Sequence, residues 1–461
     1  MDKIELLKAR REEILHAGSE IRKQIQQLTD EGSFVEFDSY SFSQNEFYEG
    51  NGGEGIVTGS ATINDNAVYV IAQNKNVLSG GITDANCKKI VKCQQKALRA
   101  GAPVIYILDT AGVAVGEGVS ALEGIGEVLA MAQALKGECV QISVVTGDVF
   151  GSFALLCASC DFNFMTKSAC VAYASPLVIS AASGKNLAKD EIGGVKNHKN
   201  TGTCTFEVEN IDQVRDTVIR LLDTLPVYNG EVETMDDYNR ATSSLNERVC
   251  VNCLKEAVFD KDYFVEMNKG FAPEVVTGIA RIGGMAVGAI LFGGEDKGVE
   301  LDRVNVAKIK EFLYFCDESE LPVVTFVNTL GIKADLATAN SPIMKEVSNL
   351  VYALYNLQMP RINVVYGKAV GLGYSLFASK ALGAEYSYAF ATAKISLFDT
   401  SKGAMIELAG VTEGNHAQAE AKYADEVQDP VNAARKGYID DIIEPQFVRS
   451  YLISALQLVT R

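Results

Sequence analysis

Hydrophobic and polar positions follow two periods along this chain, and the switch between them marks its elements. Residues 57–63 alternate in the manner of a half-buried strand and turn back at Asn64, Asp65 and Asn66, which predicts a β-hairpin. Residues 85–100 repeat their apolar positions every three to four residues, as a helix does. A continuous apolar run entered through Pro103 then reads as a buried parallel strand, followed by a glycine-containing loop, another helix and a second apolar strand over 140–146. The same order returns further on. Residues 275–282 turn at Gly283 and Gly284, a helix is predicted over 304–316, a strand is entered through Pro322, and a second strand covers 362–366.

The recurrence is visible in the residues themselves. Val57, Thr58 and Gly59 return as Val276, Thr277 and Gly278, and APVIYILDTAG at 102–112 returns as LPVVTFVNTLG at 321–331, both at an offset of 219. Gly147 and Gly151 correspond to Gly367 and Gly371 at an offset of 220, so register is kept over almost a hundred residues. Such a repeat is one folded unit used twice. Strands alternating with helices imply right-handed βαβ crossovers with both sheet faces covered, hence two α/β, βαβ-rich domains. We expect them at 1–228 and 249–461, joined by the polar stretch 229–248.

Length and composition agree: 461 residues exceed one ordinary core, and 48% hydrophobic with 22% charged residues belongs to a globular protein. Lys and Arg number 42 against 59 Asp and Glu, a net charge of −17, which argues against nucleic acid or an anionic membrane as the main partner. The N-terminal stretch is charged at helical spacing, unlike a signal peptide, and no apolar run approaches the roughly 20 residues of a membrane span. The chain is expected to stay in the cytoplasm, without membrane insertion. Its ten cysteines are therefore read as reduced and mostly buried. The pairs Cys157/Cys160 and Cys250/Cys253 have the spacing of half a zinc site each, but core packing is the simpler expectation and no metal is assigned. His16, His198 and His416 are too isolated for a catalytic or metal-binding role.

Each copy ends two strands in a glycine turn: Ala111, Gly112, Val113 and Ala114 with Gly151 and Ser152 in the first, Gly331 and Ile332 with Gly371, Leu372 and Gly373 in the second. Glycine opens conformations closed to other residues, and the second turn of each pair opens an apolar helix. Free N–H groups and the positive helix end then converge on one point, which is how an oxyanion hole is made. Tight packing alone is the competing reading. Gly184-Lys185 and Gly367-Lys368 are followed by Asn186 and Ala369, so no phosphate-binding loop of the ATPase type is present. For a polyanionic ligand the best patch is the stripe Lys88, Lys92, Lys96 and Arg99 on the first helix, a solvated face being the alternative.

Several segments together resemble the carboxyltransferase subunits of biotin-dependent acyl-CoA carboxylases and decarboxylases, of the propionyl-CoA carboxylase β and glutaconyl-CoA or methylmalonyl-CoA decarboxylase α type. They are LTDEGSFVEFD at 28–38, GIVTG at 55–59, GAPV at 101–104, EG at 117–118, EIGGVKNH at 191–198, FCD at 315–317, KGAMIE at 402–407 and AARKGYIDDII at 433–443. The resemblance implies a tandem duplicated crotonase (ClpP/crotonase) fold, the first domain holding an acyl-CoA and the second holding biotin. It implies an enzyme that moves a carboxyl group between biotin N1 and the α carbon of the thioester, through enolates held in two backbone oxyanion holes.

By position, Gly151 and Ser152 match the family's Gly-Gly pair at the thioester carbonyl, and Leu372 and Gly373 match its Gly-Ala pair at the biotin oxygen. Ala111 to Ala114 match the acyl-CoA loop, with Val115 where that loop has arginine; Gly331, Ile332 and Gly371 fall on the biotin side. Biotin would arrive on a carrier protein, since this chain has no biotin-attachment sequence. The other implied partners are a biotin carboxylase or membrane decarboxylase subunits, and further copies of the chain in a hexamer. Asp148, beside the first turn, must face away, be paired or mark a lost activity, because a carboxylate would raise the energy of a nearby enolate. The altered turns leave a non-catalytic paralogue with an assembly or regulatory role as the alternative.

Overall fold

The computed structural model describes residues 2–43, 55–226, 234, 236–408, 411–412 and 414–460. It divides into two compact units, Met1–Leu222 and Asp223–Arg461. Of the expected linker, 229–233 and 235 lie outside the described residues, and the remainder includes a short helix, Ser244–Glu247.

In the first unit the strands are β1 (Val35–Phe37), β2 (Ile56–Ile63), β3 (Asn66–Gln73), β4 (Val104–Thr110), β5 (Gln141–Phe150), β6 (Phe162–Thr166), β7 (Cys170–Ala172) and β8 (Phe206–Val208). Their order is β1-β2-β3-β4-β5-β6-β8, with β7 paired to β5. The second unit holds β9 (Phe264–Met267), β10 (Val275–Ile282), β11 (Met285–Phe292), β12 (Val299–Leu301), β13 (Val323–Ile332), β14 (Arg361–Val370), β15 (Tyr386–Phe390), β16 (Lys394–Ser396) and β17 (Asp441–Ile443). These run β9-β10-β11-β13-β14-β15-β17, with β16 paired to β14 and β12 to β13. Apart from β12, the second order repeats the first strand for strand. Register repeats too: Val104 faces Gln141 where β4 meets β5, and Val323 faces Arg361 where β13 meets β14. This is the duplicated crotonase-type α/β fold.

Local chemistry accounts for the elements. Both hairpins close with two residues at positive φ, Asn64 and Asp65 at 50° and 63°, Gly283 and Gly284 at 60° and 83°, the sign that matches the twist of antiparallel strands. The helix Asp84–Ala100 is capped by Thr83, whose side chain accepts the Asn86 N–H, and ends at Gly101 in the left-handed conformation. Its Ile90, Cys93 and Ala97 pack on Val104, Tyr106 and Leu108 of β4 and on Val128 and Leu135 of the helix Val119–Leu135. Buried Tyr106 keeps its hydroxyl satisfied between Gln94 and Gln141, at 2.9 and 3.2 Å.

One clamp occurs twice. Asp260 accepts the turn amides of Gly283 and Gly284 at 2.9 and 2.7 Å and pairs with Arg449, from the helix Val448–Val459, at 2.6 Å. In the first unit Asp30 accepts the turn amides of Asn64 and Asp65, both at 3.0 Å, and pairs with Arg215 of the helix Ile211–Thr224 at 2.8 Å. Burial pushes the Asp30 carboxyl up, but hydrogen bonds from Thr62, Asp65, Asn64 and Arg215 outweigh it and hold the group below its ordinary value.

The reading of all cysteines as reduced needs correction at one pair. Cys250 and Cys253 form a disulfide across the start of the helix Val251–Val258, because a Cys-x-x-Cys spanning a helix cap brings the two Cα atoms to 5.0 Å. The other eight are free and buried, Cys157 within and Cys160 just after the short apolar helix Phe153–Ser159.

Candidate active site

The four predicted turns meet in pairs, one pair in each unit. In the first, Gly112 sits at φ 110°, and a side chain there would come within 3.4 Å of the Phe150 carbonyl, immediately before Gly151 at φ 78°. In the second, a side chain on Gly331, at φ 84°, would come within 3.1 Å of the equivalent carbonyl, that of Val370, and 3.2 Å of the Gly373 nitrogen. A Cβ on Gly373 would in turn meet the Gly331 nitrogen at 3.0 Å. Positive φ favours glycine at Gly112, and in the second unit the close approach at Gly331 and Gly373 favours it as well. A threonine steadies each first turn: Thr110 Oγ1 accepts the Gly112 N–H at 3.0 Å, and Thr329 Oγ1 accepts that of Gly331 at 3.1 Å.

Not every expected donor is open. The Gly151 N–H donates to the Ala172 carbonyl of β7 at 2.9 Å, and the Gly371 N–H donates to the Ser396 carbonyl of β16 at 3.0 Å. The loop Ala111 to Ala114 is also largely engaged, since Ala111 donates to Ser79 and Ala114 to Ile82, each at 3.0 Å. With the Gly151 amide engaged, the next amide is that of Ser152, the N-cap of Phe153–Ser159. In the second unit Leu372 and Gly373 open the helix Leu372–Phe377, and the first amides of a helix have no acceptor within it. The strand that takes each glycine amide is anchored in turn. Gly193 of the EIGGVKNH segment lies where a Cβ would meet the Val171 carbonyl at 2.0 Å, and His198 Nε2 is 2.7 Å from that same oxygen. On the other side Gln428 Nε2 donates to Ser396 Oγ at 2.8 Å.

Asp148 does not threaten the first turn, because its carboxylate pairs with Lys189 at 2.9 Å. The hydrogen bond to Asp148 raises the Lys189 ammonium above its ordinary value. The equivalent position in the second unit carries the opposite charge, Lys368, and pairs with Asp399 at 3.1 Å. Sequence reasoning missed Asp109 and Asn328, which support both turn strands. Asp109 lies under Gly147, where a Cβ would sit 2.2 Å from Oδ2, and Asn328 lies under Gly367 at 2.4 Å from Oδ1. Asn328 Oδ1 accepts the Lys368 N–H at 2.9 Å. Their signal was present in the repeat, as DTAG matched to NTLG.

The basic stripe lies along one helix face as the spacing predicts, but three of its four charges are used at home, while Arg99 is exposed in the last turn. Lys88 pairs with Asp84 at 2.5 Å, Lys92 with Asp38 at 2.6 Å, and the Lys96 ammonium stands 4.9 Å from the Phe37 ring centre. Lys92 and Lys96 thereby fasten β1 and the residue after it to the helix. These are exposed contacts of small individual strength, so at the three lysines a polyanion would compete with them rather than find free cations.

Among known proteins, the carboxyl transferase domain model matches residues 16–461. The propionyl-CoA carboxylase carboxyltransferase subunit of Haloferax mediterranei is 30% identical, over 99% of this chain and 96% of that one. The methylmalonyl-CoA decarboxylase subunit alpha of Veillonella parvula is 31% identical, over 95% and 89%. Among solved structures, transcarboxylase 12S, described as a hexamer assembly with methylmalonyl-coenzyme A and methylmalonic acid bound, superposes with a TM-score of 0.91 at 26% identity, over 99% of this chain and 94% of that one. The chain thus belongs to the carboxyl transferase domain family, the carboxyltransferase subunits of biotin-dependent acyl-CoA carboxylases and decarboxylases.

Proposed function

We propose that the first domain (1–228) holds an acyl-CoA with its thioester carbonyl oxygen facing the Ser152 amide, and that the second (249–461) holds biotin with its oxygen facing the amides of Leu372 and Gly373. The observation that carries this reading is the doubled turn pair, in which Gly112 and Gly331 bring a second backbone against the same carbonyl, Phe150 or Val370. Biotin, presented by a biotin carboxyl carrier protein, supplies the carboxyl group and the base. What the chain contributes is fixed N–H dipoles aimed at oxygens that gain negative charge, in a cradle that any Cβ on Gly373 would fill. Val113 and Ile332 would flank the two oxygens. Asp148 pairs with Lys189, which meets one of the conditions under which its carboxylate is compatible with activity. The acyl group and the direction of transfer depend on the partner, a biotin carboxylase or membrane decarboxylase subunits.

Incubation of the purified chain with free biotin and malonyl-, methylmalonyl- or glutaconyl-CoA tests the reading. At least one thioester should lose its carboxyl group in a biotin-dependent manner; inertness toward all three overturns it.

Large apolar side chains are exposed in both units, with Val115 95% exposed, Leu177 79% and Met344 81%. Single exposed apolar residues are ordinary, so it is their number and their near-complete exposure that suit a protein partner. Further copies of this chain would cover them, in a hexamer. Light scattering should give a mass several times 49.7 kDa, and a monodisperse monomer at micromolar concentration would refute the assembly. Among the described residues no helix is long and apolar enough to cross a membrane, which suits a cytoplasmic location.

A further inference from the structure

We propose that Cys250 and Cys253 are a reversible thiol–disulfide site, exchanging with small disulfides and dithiols, and that the disulfide pins one wall of a cavity in the second unit. The chain's cysteines divide sharply. The eight free ones are buried, and burial pushes the thiols of Cys87 and Cys93 up to about 12 and those of Cys139 and Cys170 up to about 11. Thiolate is the reactive form, so these are inert. Cys250 and Cys253 alone are partly exposed, and they are bonded to each other.

Their placement suits exchange. Cys250 is the N-cap of Val251–Val258, and its Sγ accepts the Cys253 N–H at 3.1 Å. That amide and the positive end of the helix favour negative charge on Cys250 once the pair is reduced, which makes Cys250 the attacking sulfur. Its thiolate attacks one sulfur of a small disulfide, forming a mixed disulfide and releasing one thiolate. The Cys253 thiol gives up its proton and attacks the Cys250 sulfur, closing the Cys250–Cys253 bond and releasing the second thiol. Two electrons pass from the protein to the small disulfide, and a dithiol reverses the sequence.

The cavity gives this exchange a local consequence. It measures about 700 Å³, and Arg248 and Val249, immediately before Cys250, line it opposite Asn328 and Lys368. The segment is anchored upstream, where Gln446 N–H donates to Asn246 Oδ1 at 3.1 Å. Val249 packs at the edge of the second unit's core, and the disulfide is the next covalent anchor. Between Asn246 and the disulfide, Arg248 holds only its backbone bond to Ser244 at 3.1 Å and an ion pair to Glu295 at 3.6 Å, with both side chains 74% exposed. A pair so exposed adds little. Reduction therefore loosens this wall, and oxidation fastens it.

The full-length protein is equilibrated with mixtures of reduced and oxidised glutathione, quenched with acid, unfolded, alkylated and weighed intact. Two of the ten thiols should disappear together in one step as the mixture becomes oxidising. Cys253→Ser should trap one glutathione on Cys250, while Cys250→Ser, which keeps a good N-cap, should trap none. Failure to lose two thiols, or glutathione trapped equally by both variants, overturns the site. Trypsin cleavage between Arg248 and Val249, followed by peptide mass, should be about tenfold faster for the reduced than the oxidised chain, since cleavage follows the open population. Cys250→Ser should be cut at the fast rate in both mixtures, with unchanged circular dichroism. Equal rates for the oxidised and reduced wild-type chain overturn the pinned wall.

Discussion

Ser152→Pro should lower carboxyl transfer by at least about 100-fold, while Ser152→Ala should change it by less than about threefold, because one backbone donor to a developing oxyanion is worth roughly 3 kcal/mol. Proline removes the N–H and nothing else that the turn depends on. Ser152 sits at φ −65°, the angle proline imposes, and its side chain makes no capping hydrogen bond. Alanine removes the hydroxyl and leaves the amide. Leu372→Pro is the matching change in the second unit, at the first position of Leu372–Phe377, where helices accept proline. It should cost a similar factor with free biotin as acceptor. Circular dichroism of all three variants should match the parent. Equal inactivity of Ser152→Ala and Ser152→Pro would move the chemistry to the hydroxyl; full activity of both proline variants would make the turns structural. Gly151→Pro, which the sequence suggests as the test, is uninformative. It would force φ away from 78° and break the bond to Ala172, disrupting the turn without touching an open donor.

The largest stability loss is expected at Asp260→Ala, about 3–5 kcal/mol, which leaves the Arg449 guanidinium buried without a counter-charge, held only by the Asp237 and Val258 carbonyls. Side-chain exposure is 1% for Arg449 and 3% for Asp260, so water cannot replace the lost carboxylate. The amides of Gly283 and Gly284 lose their acceptor in the same step. Melting should fall by roughly 10 °C or more for a unit of this size. The duplicate clamp supplies an internal control. In the Arg215–Asp30 pair the side chains are 32% and 25% exposed, and Asp30→Ala should cost only about 1 kcal/mol. The double change Asp260→Ala with Arg449→Met should be milder than Asp260→Ala alone, because it removes the stranded charge. If the two aspartate variants melted alike, burial would not be what sets the strength of these clamps.

Much of this protein was legible without its structure, wherever the cause is local. Hairpin turns follow from Asn64-Asp65 and Gly283-Gly284, whose residue types tolerate positive φ, and the helix Asp84–Ala100 follows from its apolar spacing and its threonine cap. The repeat at 219 to 220 positions determined that two like units exist, and it set the four glycine turns in equivalent places. Which amides in those turns stay open was decided by tertiary structure. Gly151 and Ser152 are neighbours, yet only strand pairing brings the Ala172 carbonyl to the first and leaves the second at a helix start. Lys92 finds Asp38, 54 residues away, so a charge that read as part of a free patch became a fastener, and Arg449 finds Asp260 at a separation of 189, a pairing with no local signal. Periodicity and turn chemistry are properties of a few consecutive residues. A hydrogen-bond partner is a property of whichever distant strand the fold lays alongside, and that is why the shape of the site could be read from the chain while its open donors could not.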